Sequence, residues 1–119
     1  MESRTKSHVD QLISPAGHPV AVLRFEGDIE IYSREAVLGT FLSLPKESSQ
    51  LILLDFTKVS YINSSGITLV IQLLMEAYHS TQKIYAFGLS PHFTKVFMVA
   101  GITKYAKLFS DQASAIAAF

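Results

Sequence analysis

Residues 51–69 read LILLDFTKVSYINSSGITL, and the fold class can be predicted from their pattern. Apart from Asp55, residues 51–56 are apolar, which is typical of a central parallel strand that is covered on both faces. The sequence Asn63-Ser64-Ser65-Gly66 then predicts the start of a helix, because Asn and Ser favour the N-cap position. A buried strand that leads into a helix indicates an α/β architecture.

The helix predicted over residues 63–78 is amphipathic, because apolar and polar residues each recur at helical spacing. Its apolar face carries Ile67, Val70, Ile71, Leu74, Ala77 and Tyr78, with packing on the sheet expected through the first four. Its polar face carries Thr68, Gln72, Glu76 and His79.

The flanking segments complete an alternation of strands and helices. The strands are predicted over residues 9–14, 20–27, 83–87 and 106–109. Helices are predicted over 33–44 with Ser33 as N-cap, over 90–100, and after Ser110 as the N-cap of the last helix. The turn-rich residues 15–19 join the first two strands as an antiparallel hairpin. We therefore expect an α/β mixed sheet with an antiparallel edge hairpin, parallel central strands and about four helices. Residues 1–8 should form a flexible arm, and residues 9–119 a single domain.

Composition excludes several classes of function. Ten basic residues balance ten acidic ones, so the chain lacks the broad positive field that nucleic-acid binding requires. The longest apolar stretch, residues 67–75 with two polar interruptions, is far shorter than the roughly 20 residues of a membrane helix, and direct membrane insertion is not expected. The absence of cysteine excludes disulfides and thiolate metal sites and favours the cytoplasm.

Nucleophilic catalysis by Ser64 receives little support from its surroundings. The nucleophile elbow of hydrolases has a glycine two residues before the serine and another two after it, and only Gly66 is present here. The four histidines, His8, His18, His79 and His92, are scattered over loops and helix ends. We therefore predict no catalytic residues, and no nucleotide cofactor because the glycine-rich phosphate loops are absent.

A metal site is conceivable where acidic residues follow strands. Glu26, Asp28 and Glu30 alternate after the second strand, and Asp55 lies near the end of the central one. Acids at strand ends are more often helix caps or solvated loop residues, so we predict no metal.

The start of the second helix is the remaining candidate site. Unpaired backbone N–H groups and the helix dipole would host a phosphate on Ser64. The simpler interpretation is that Asn63 or Ser64 is only an N-cap, and the residues by themselves favour it.

Residues 51–69 as a unit resemble the central segment of the STAS domain family, the anti-sigma-factor antagonists and related domains. That family has an apolar strand, a short spacer and then Asp-Ser-Ser-Gly-Leu. Residues 25–30, FEGDIE, look like the family's Gly-Glu-Leu-Asp segment. Residues 88–91 and 100–102, GLSP and AGI, look like its third helix and the glycine that follows. The resemblance covers nearly the whole chain after residue 8.

The resemblance implies a bacterial, cytoplasmic regulator of transcription that has no cofactor and no enzymatic activity. It makes Ser64 the phosphoacceptor for an anti-sigma factor serine kinase, with a serine phosphatase removing the phosphate. Asn63 stands where the family usually has aspartate; it keeps the capping ability and lacks the charge.

The surroundings of Ser64 would then form the binding surface. Ser65 and Gly66 follow the phosphoacceptor, and the resemblance places Asp28 and Glu30 nearby. The residues expected to contact the partner are Tyr61, Thr68, Gln72 and Met75.

Two alternatives remain. One is a soluble STAS subunit of a membrane transport complex that docks on the transporter's ATPase without phosphorylation of Ser64. The other is a small hydrolase that uses Ser64, against which the lack of a well-placed histidine counts.

Overall fold

The computed structural model describes residues 4–119. Its strands are β1 (Lys6–Ile13), β2 (Pro19–Ile29), β3 (Leu51–Ile62), β4 (Lys83–Phe87) and β5 (Ala106–Phe109). Its α-helices are α1 (Thr40–Leu42), α2 (Ser64–His79), α3 (Pro91–Val99) and α4 (Gln112–Ala117). Short 3-10 turns lie at Ile31–Ser33, Lys46–Ser48 and Ile102–Lys104, and a π-helical turn at Glu35–Gly39 leads into α1.

The five strands form one mixed sheet in the order β1-β2-β3-β4-β5. β1 pairs with β2 antiparallel, and every other neighbouring pair is parallel. The predicted fold class, an α/β mixed sheet with an antiparallel edge hairpin and parallel central strands, is confirmed. Because β2 and β3 run parallel, their carboxyl ends lie together at one edge, where α2 begins.

Alternation along the strands divides the core into two layers. The larger layer lies between the sheet and the segment 31–42, α2 and α3; β2 contributes Ala21, Leu23 and Phe25 to it. The smaller layer lies under α4, and Val20 and Val22 of the same strand face it. Both faces of the central strands are therefore covered, as the apolar run of residues 51–56 requires.

Several boundaries differ from the sequence predictions, among them those of β2, which runs from Pro19 to Ile29 and not over residues 20–27. β1 begins at Lys6, inside the predicted arm of residues 1–8, because residues 6–8 pair with residues 24–26 of β2; residues 1–3 lie outside the described residues. β3 continues to Ile62, because β2 extends to Ile29 and pairs with its polar second half. Asp111, not Ser110, caps α4 by accepting a hydrogen bond from the Ser114 N–H.

The first helical segment is less regular than predicted. Ser33 does not cap a long helix; it is buried in a 3-10 turn whose N-cap is Glu30. The Ser33 hydroxyl accepts the Glu30 N–H at 2.9 Å and donates to the Glu30 carboxylate at 3.2 Å. This reciprocal pair holds residues 30–33 as a separate turn before the helix continues.

The orientation of α2 was predicted only in part. Val70, Leu74 and Ala77 are buried as expected, but Ile67 and Ile71 are half-buried and Tyr78 is exposed. Leu69 and Leu73 are buried instead. The helix is thus rotated toward the segment 31–42, which packs against it.

Candidate functional site

Asn63 fixes the start of α2 through two hydrogen bonds. Its side-chain Oδ1 accepts the Gly66 N–H at 2.9 Å, which is the N-cap interaction expected from the sequence. Its own N–H donates to the Ile29 carbonyl at the end of β2, at 3.2 Å. Asn63 therefore joins the first turn of the helix to the edge of the sheet.

Gly66 allows α2 to approach β2 closely. A Cβ at this position would lie 2.2 Å from the Ile29 carbonyl oxygen and 2.8 Å from Cγ2 of Ile62. These distances are shorter than any contact a side chain tolerates, so the position requires glycine because of space and not because of backbone angle. Gly66 thus determines how closely the start of α2 packs against the sheet.

Ser64 is the first residue of α2, and its side chain is exposed. Its hydroxyl makes no hydrogen bond within residues 4–119; only its carbonyl is used, accepting the Thr68 hydroxyl at 3.1 Å. Asn63, and not Ser64, provides the N-cap, so the Ser64 hydroxyl is not needed to stabilise the start of the helix. Ser65 beside it is half-buried.

Asp28 and Glu30 lie on either side of Ile29, the residue that contacts Asn63 and Gly66. Asp28 pairs with Tyr61 across β2 and β3, which brings it to the same edge as the start of α2. The Glu30 carboxylate is occupied, because it accepts the Tyr32 N–H at 3.0 Å. Of the two acids, only Asp28 has a carboxylate without a hydrogen bond or ion pair to the described part of the chain.

A shallow groove of about 300 Å³ follows one side of α2. Thr68 and Gln72, both exposed, line it together with Ser65. Arg34 crosses from the neighbouring segment and donates to the Gln72 side chain at 3.4 Å. Two predicted partner-binding residues and one neighbour of Ser64 therefore share a surface.

The other two predicted partner-binding residues lie differently. Tyr61 is 54% exposed and packs edge-on against Phe93 with ring centroids 5.9 Å apart, which places it near the start of α3. Met75 is half-buried, one turn beyond the groove. Tyr61 remains available to a partner, while Met75 offers only part of its side chain.

A second groove, of about 480 Å³, separates the start of α2 from α3. Ser64 stands at it with Ile67 from α2; His92, Lys95, Val96, Val99 and Ala100 line the other wall. Sequence reasoning missed α3 as part of the site, since only the fold brings residues about 30 positions away beside Ser64. The signal available was the helical spacing of His92, Lys95 and Val99.

His92 shares this groove with Ser64, but no hydrogen bond joins the two side chains in the described structure. A nucleophilic serine needs its base within hydrogen-bond reach and an oriented one. Within the described part of the chain, the His92 ring contacts the Phe93 ring, at 4.9 Å between centroids, and this contact supplies no acceptor that would orient a base.

The acids considered as metal ligands are not assembled. Asp55 lies on the α4 side of the sheet, where it accepts Arg24 Nη1 at 2.8 Å and the Thr57 N–H and hydroxyl at 2.8 and 2.6 Å. Arg24 also binds Asp10 at 2.6 Å. Within residues 4–119 no three histidine, aspartate or glutamate side chains come together as metal ligands would.

The hydrogen bond from Arg24 holds the pKa of the Asp10 carboxyl below its usual value of 3.8. The cluster of Asp10, Arg24 and Asp55 thus joins β1, β2 and β3 by charge, and Gln112 adds α4 to it through a 2.9 Å hydrogen bond from Arg24. We infer a structural role for this cluster, on the sheet face opposite Ser64.

Solved structures with the same fold include anti-sigma factor antagonists and domains of sulfate transporters. An anti-sigma factor antagonist from Mycobacterium paratuberculosis is 15% identical, with a TM-score of 0.78 over 99% of this chain and 97% of the other. The Bacillus cell fate determinant SpoIIAA in its phosphorylated form is 17% identical, with a TM-score of 0.61 over 92% and 96%. The STAS domain of a SulP transporter from Vibrio cholerae is 18% identical, with a TM-score of 0.66 over 83% and 77%. At these identities the likeness concerns the fold.

Sequence comparison gives the family directly. No curated protein sequence matches the chain. No helix in residues 4–119 combines the length and the apolar character needed to span a membrane. A family model described as "Mlab, STAS domain" matches residues 15–110, most of the chain. With the five-stranded sheet and the seated start of α2, this match shows that the chain belongs to the STAS domain family and has the fold of its anti-sigma-factor antagonists.

Proposed function

We propose that this protein is a phosphorylation-controlled binding module, an anti-sigma-factor antagonist. In its unphosphorylated form it binds an anti-sigma factor serine kinase in the cytoplasm, and phosphate on Ser64 ends that binding until a serine phosphatase removes it. The protein itself binds and does not catalyse.

The observation that carries this proposal is the exposed Ser64 hydroxyl at the first residue of a helix that another residue caps. Since Asn63 already satisfies the Gly66 N–H, a phosphate on Ser64 would not remove a bond that holds the fold. The positive end of the α2 dipole would favour the added charge. A phosphate adds about 1.5 to 2 negative charges, so it changes the binding surface while the fold tolerates it.

The binding surface in this proposal is the pair of grooves on either side of α2. Thr68 and Gln72 on one side and Tyr61 near the start of α3 are exposed enough to contact a partner. Asp28 makes the edge beside them acidic before any phosphate is added.

The experiment is phosphorylation of the wild-type protein by its cognate kinase with ATP, followed by peptide mass spectrometry. We expect one phosphate, on Ser64. Ser64→Ala should bind the kinase constitutively and Ser64→Asp should bind it weakly, while both unfold within about 1 kcal/mol of the wild type. Ser60→Ala is the matched control and should behave like the wild type. Phosphate on Ser60 or Ser65 would show that Ser64 is not the phosphoacceptor.

A second candidate is a STAS subunit of a transport complex that docks on an ATPase through the same face. It is favoured by the likeness to a SulP transporter domain and by the presence of Asn63, which lacks the charge usual at the position before the phosphoacceptor. Co-purification of a transport ATPase with the wild type and with Ser64→Ala alike, without phosphate on either, would support this candidate over the first.

A further inference from the structure

The groove between α2 and α3 combines an apolar floor with a positive rim. Its apolar members are Ile67, Val96, Val99 and Ala100, and Val99 is 83% exposed, so most of its surface is free to contact a partner. Such a groove between two helices suits the apolar face of a third helix.

The rim of this groove has only one sign of charge. Of the described residues that line it, only Lys95 carries a formal charge; it is exposed, and no acidic side chain lines the groove. The start of α2 adds about half a positive charge from its dipole. The whole chain has no net charge, so this local excess distinguishes the groove from the average surface.

We infer that the α2–α3 groove takes an amphipathic helix of the partner protein, with apolar residues on the floor and an acidic residue facing Lys95. This inference rests on the proposed function, and it adds the chemistry of the partner segment that docks in this groove. Charge complementarity of this kind selects a partner and sets its orientation.

The same groove explains how one phosphate would act as a switch. Unphosphorylated, the groove carries the positive charge of Lys95, and its Ser64 end adds about half a charge from the helix dipole; Asp28 is not among the residues that line it. A phosphate of about −1.5 to −2 outweighs these and reverses the sign of that end. An acidic segment that the groove attracts before phosphorylation is repelled after it.

The test uses two synthetic helical peptides of about 15 residues, long enough to form some helix, that share a leucine face. One carries glutamates beside that face and the other carries lysines. Titrated into ¹⁵N-labelled protein, the glutamate peptide should shift the amide signals of residues 64–67 and 92–100 and bind at least about tenfold more tightly than the lysine peptide. Equal affinities, or shifts confined to other surfaces, would overturn the inference.

Two variants isolate the charge. Lys95→Glu should reverse the preference between the peptides, whereas Lys46→Glu, the same charge change on an exposed turn outside the groove, should leave it unchanged. Protein with phosphoserine installed at position 64 during translation should lose affinity for the glutamate peptide only. If Lys46→Glu has the effect of Lys95→Glu, the attraction is general and the groove is not a specific site.

None of these measurements uses a kinase. If the peptides bind with the predicted preference but no kinase modifies Ser64, the phosphorylation proposal is refuted. The inference that the groove binds an acidic amphipathic helix would then still stand. If Ser64 is phosphorylated but the groove shows no preference between the peptides, the phosphorylation proposal is supported and the inference about the groove is refuted.

Discussion

Replacing Gly66 with alanine tests how α2 is seated on the sheet. The new Cβ would lie 2.2 Å from the Ile29 carbonyl oxygen and 2.8 Å from the Ile62 side chain, so the helix start must move away by about 1 Å. That movement strains the Asn63 cap and the hydrogen bond from Asn63 to Ile29.

The size of the effect follows from these contacts. Overpacking in a closed core costs about 1 to 3 kcal/mol. Loss of the N-cap and loss of the backbone hydrogen bond cost about 1 kcal/mol each. The higher helix propensity of alanine relative to glycine offsets about 1 kcal/mol of this cost. Gly66→Ala should therefore lower the free energy of unfolding by about 2 to 4 kcal/mol, a large share of the stability of a small domain.

Urea denaturation followed by circular dichroism measures this change, with Gly39→Ala as the control. Gly39 has helical backbone angles, φ −61° and ψ −43°, and the atoms nearest to an added Cβ would be those of the Glu35 carboxylate, the movable end of a flexible side chain. Gly39→Ala should stay within about 1 kcal/mol of the wild type. A Gly66→Ala protein as stable as the wild type would refute the close approach of α2 to β2.

Three further predictions concern α2 and the charged cluster. Leu73→Ala should lower the free energy of unfolding by about 2 to 5 kcal/mol because Leu73 is fully buried. Ile71→Ala should lower it by about 1 to 2 kcal/mol because Ile71 is half-buried. Equal losses of stability in urea denaturation would contradict the orientation of the helix. Asn63→Asp should change stability by less than about 1 kcal/mol because both residues cap, so calorimetry should register little while affinity for the kinase changes. Because Arg24 holds the pKa of Asp10 below 3.8, the stabilisation is present above that value and is lost as the pH falls through the lower folded-state pKa. In an acid titration Asp10→Asn should therefore lose less stability than the wild type, and identical curves would show that the pair contributes nothing.

Elements whose signals are local could be predicted from the sequence. β4 and β5 have the predicted bounds, because a short apolar run closed by Gly88 or by Ser110 defines a strand without further information. The N-cap at Asn63 could also be predicted from the sequence, because its hydrogen bond to Gly66 spans only three residues. The mixed sheet followed from the alternation of strands and helices.

The tertiary structure decided what depends on distant partners. The face that α2 buries is set by the segment 31–42 packed beside it, so Leu73 is buried while Ile71 is only half-buried, although both are apolar and lie two positions apart.

The composition of the candidate site was decided in the same way. Lys95 and His92 lie beside Ser64 because β4 returns parallel to β3 and places α3 next to α2. The polar second half of β3 is a strand because β2 supplies its hydrogen-bonding partner as far as Ile29. Local propensity and periodicity act over a few residues, whereas these placements depend on contacts between chain segments about 30 residues apart, and only packing of the whole chain selects among them.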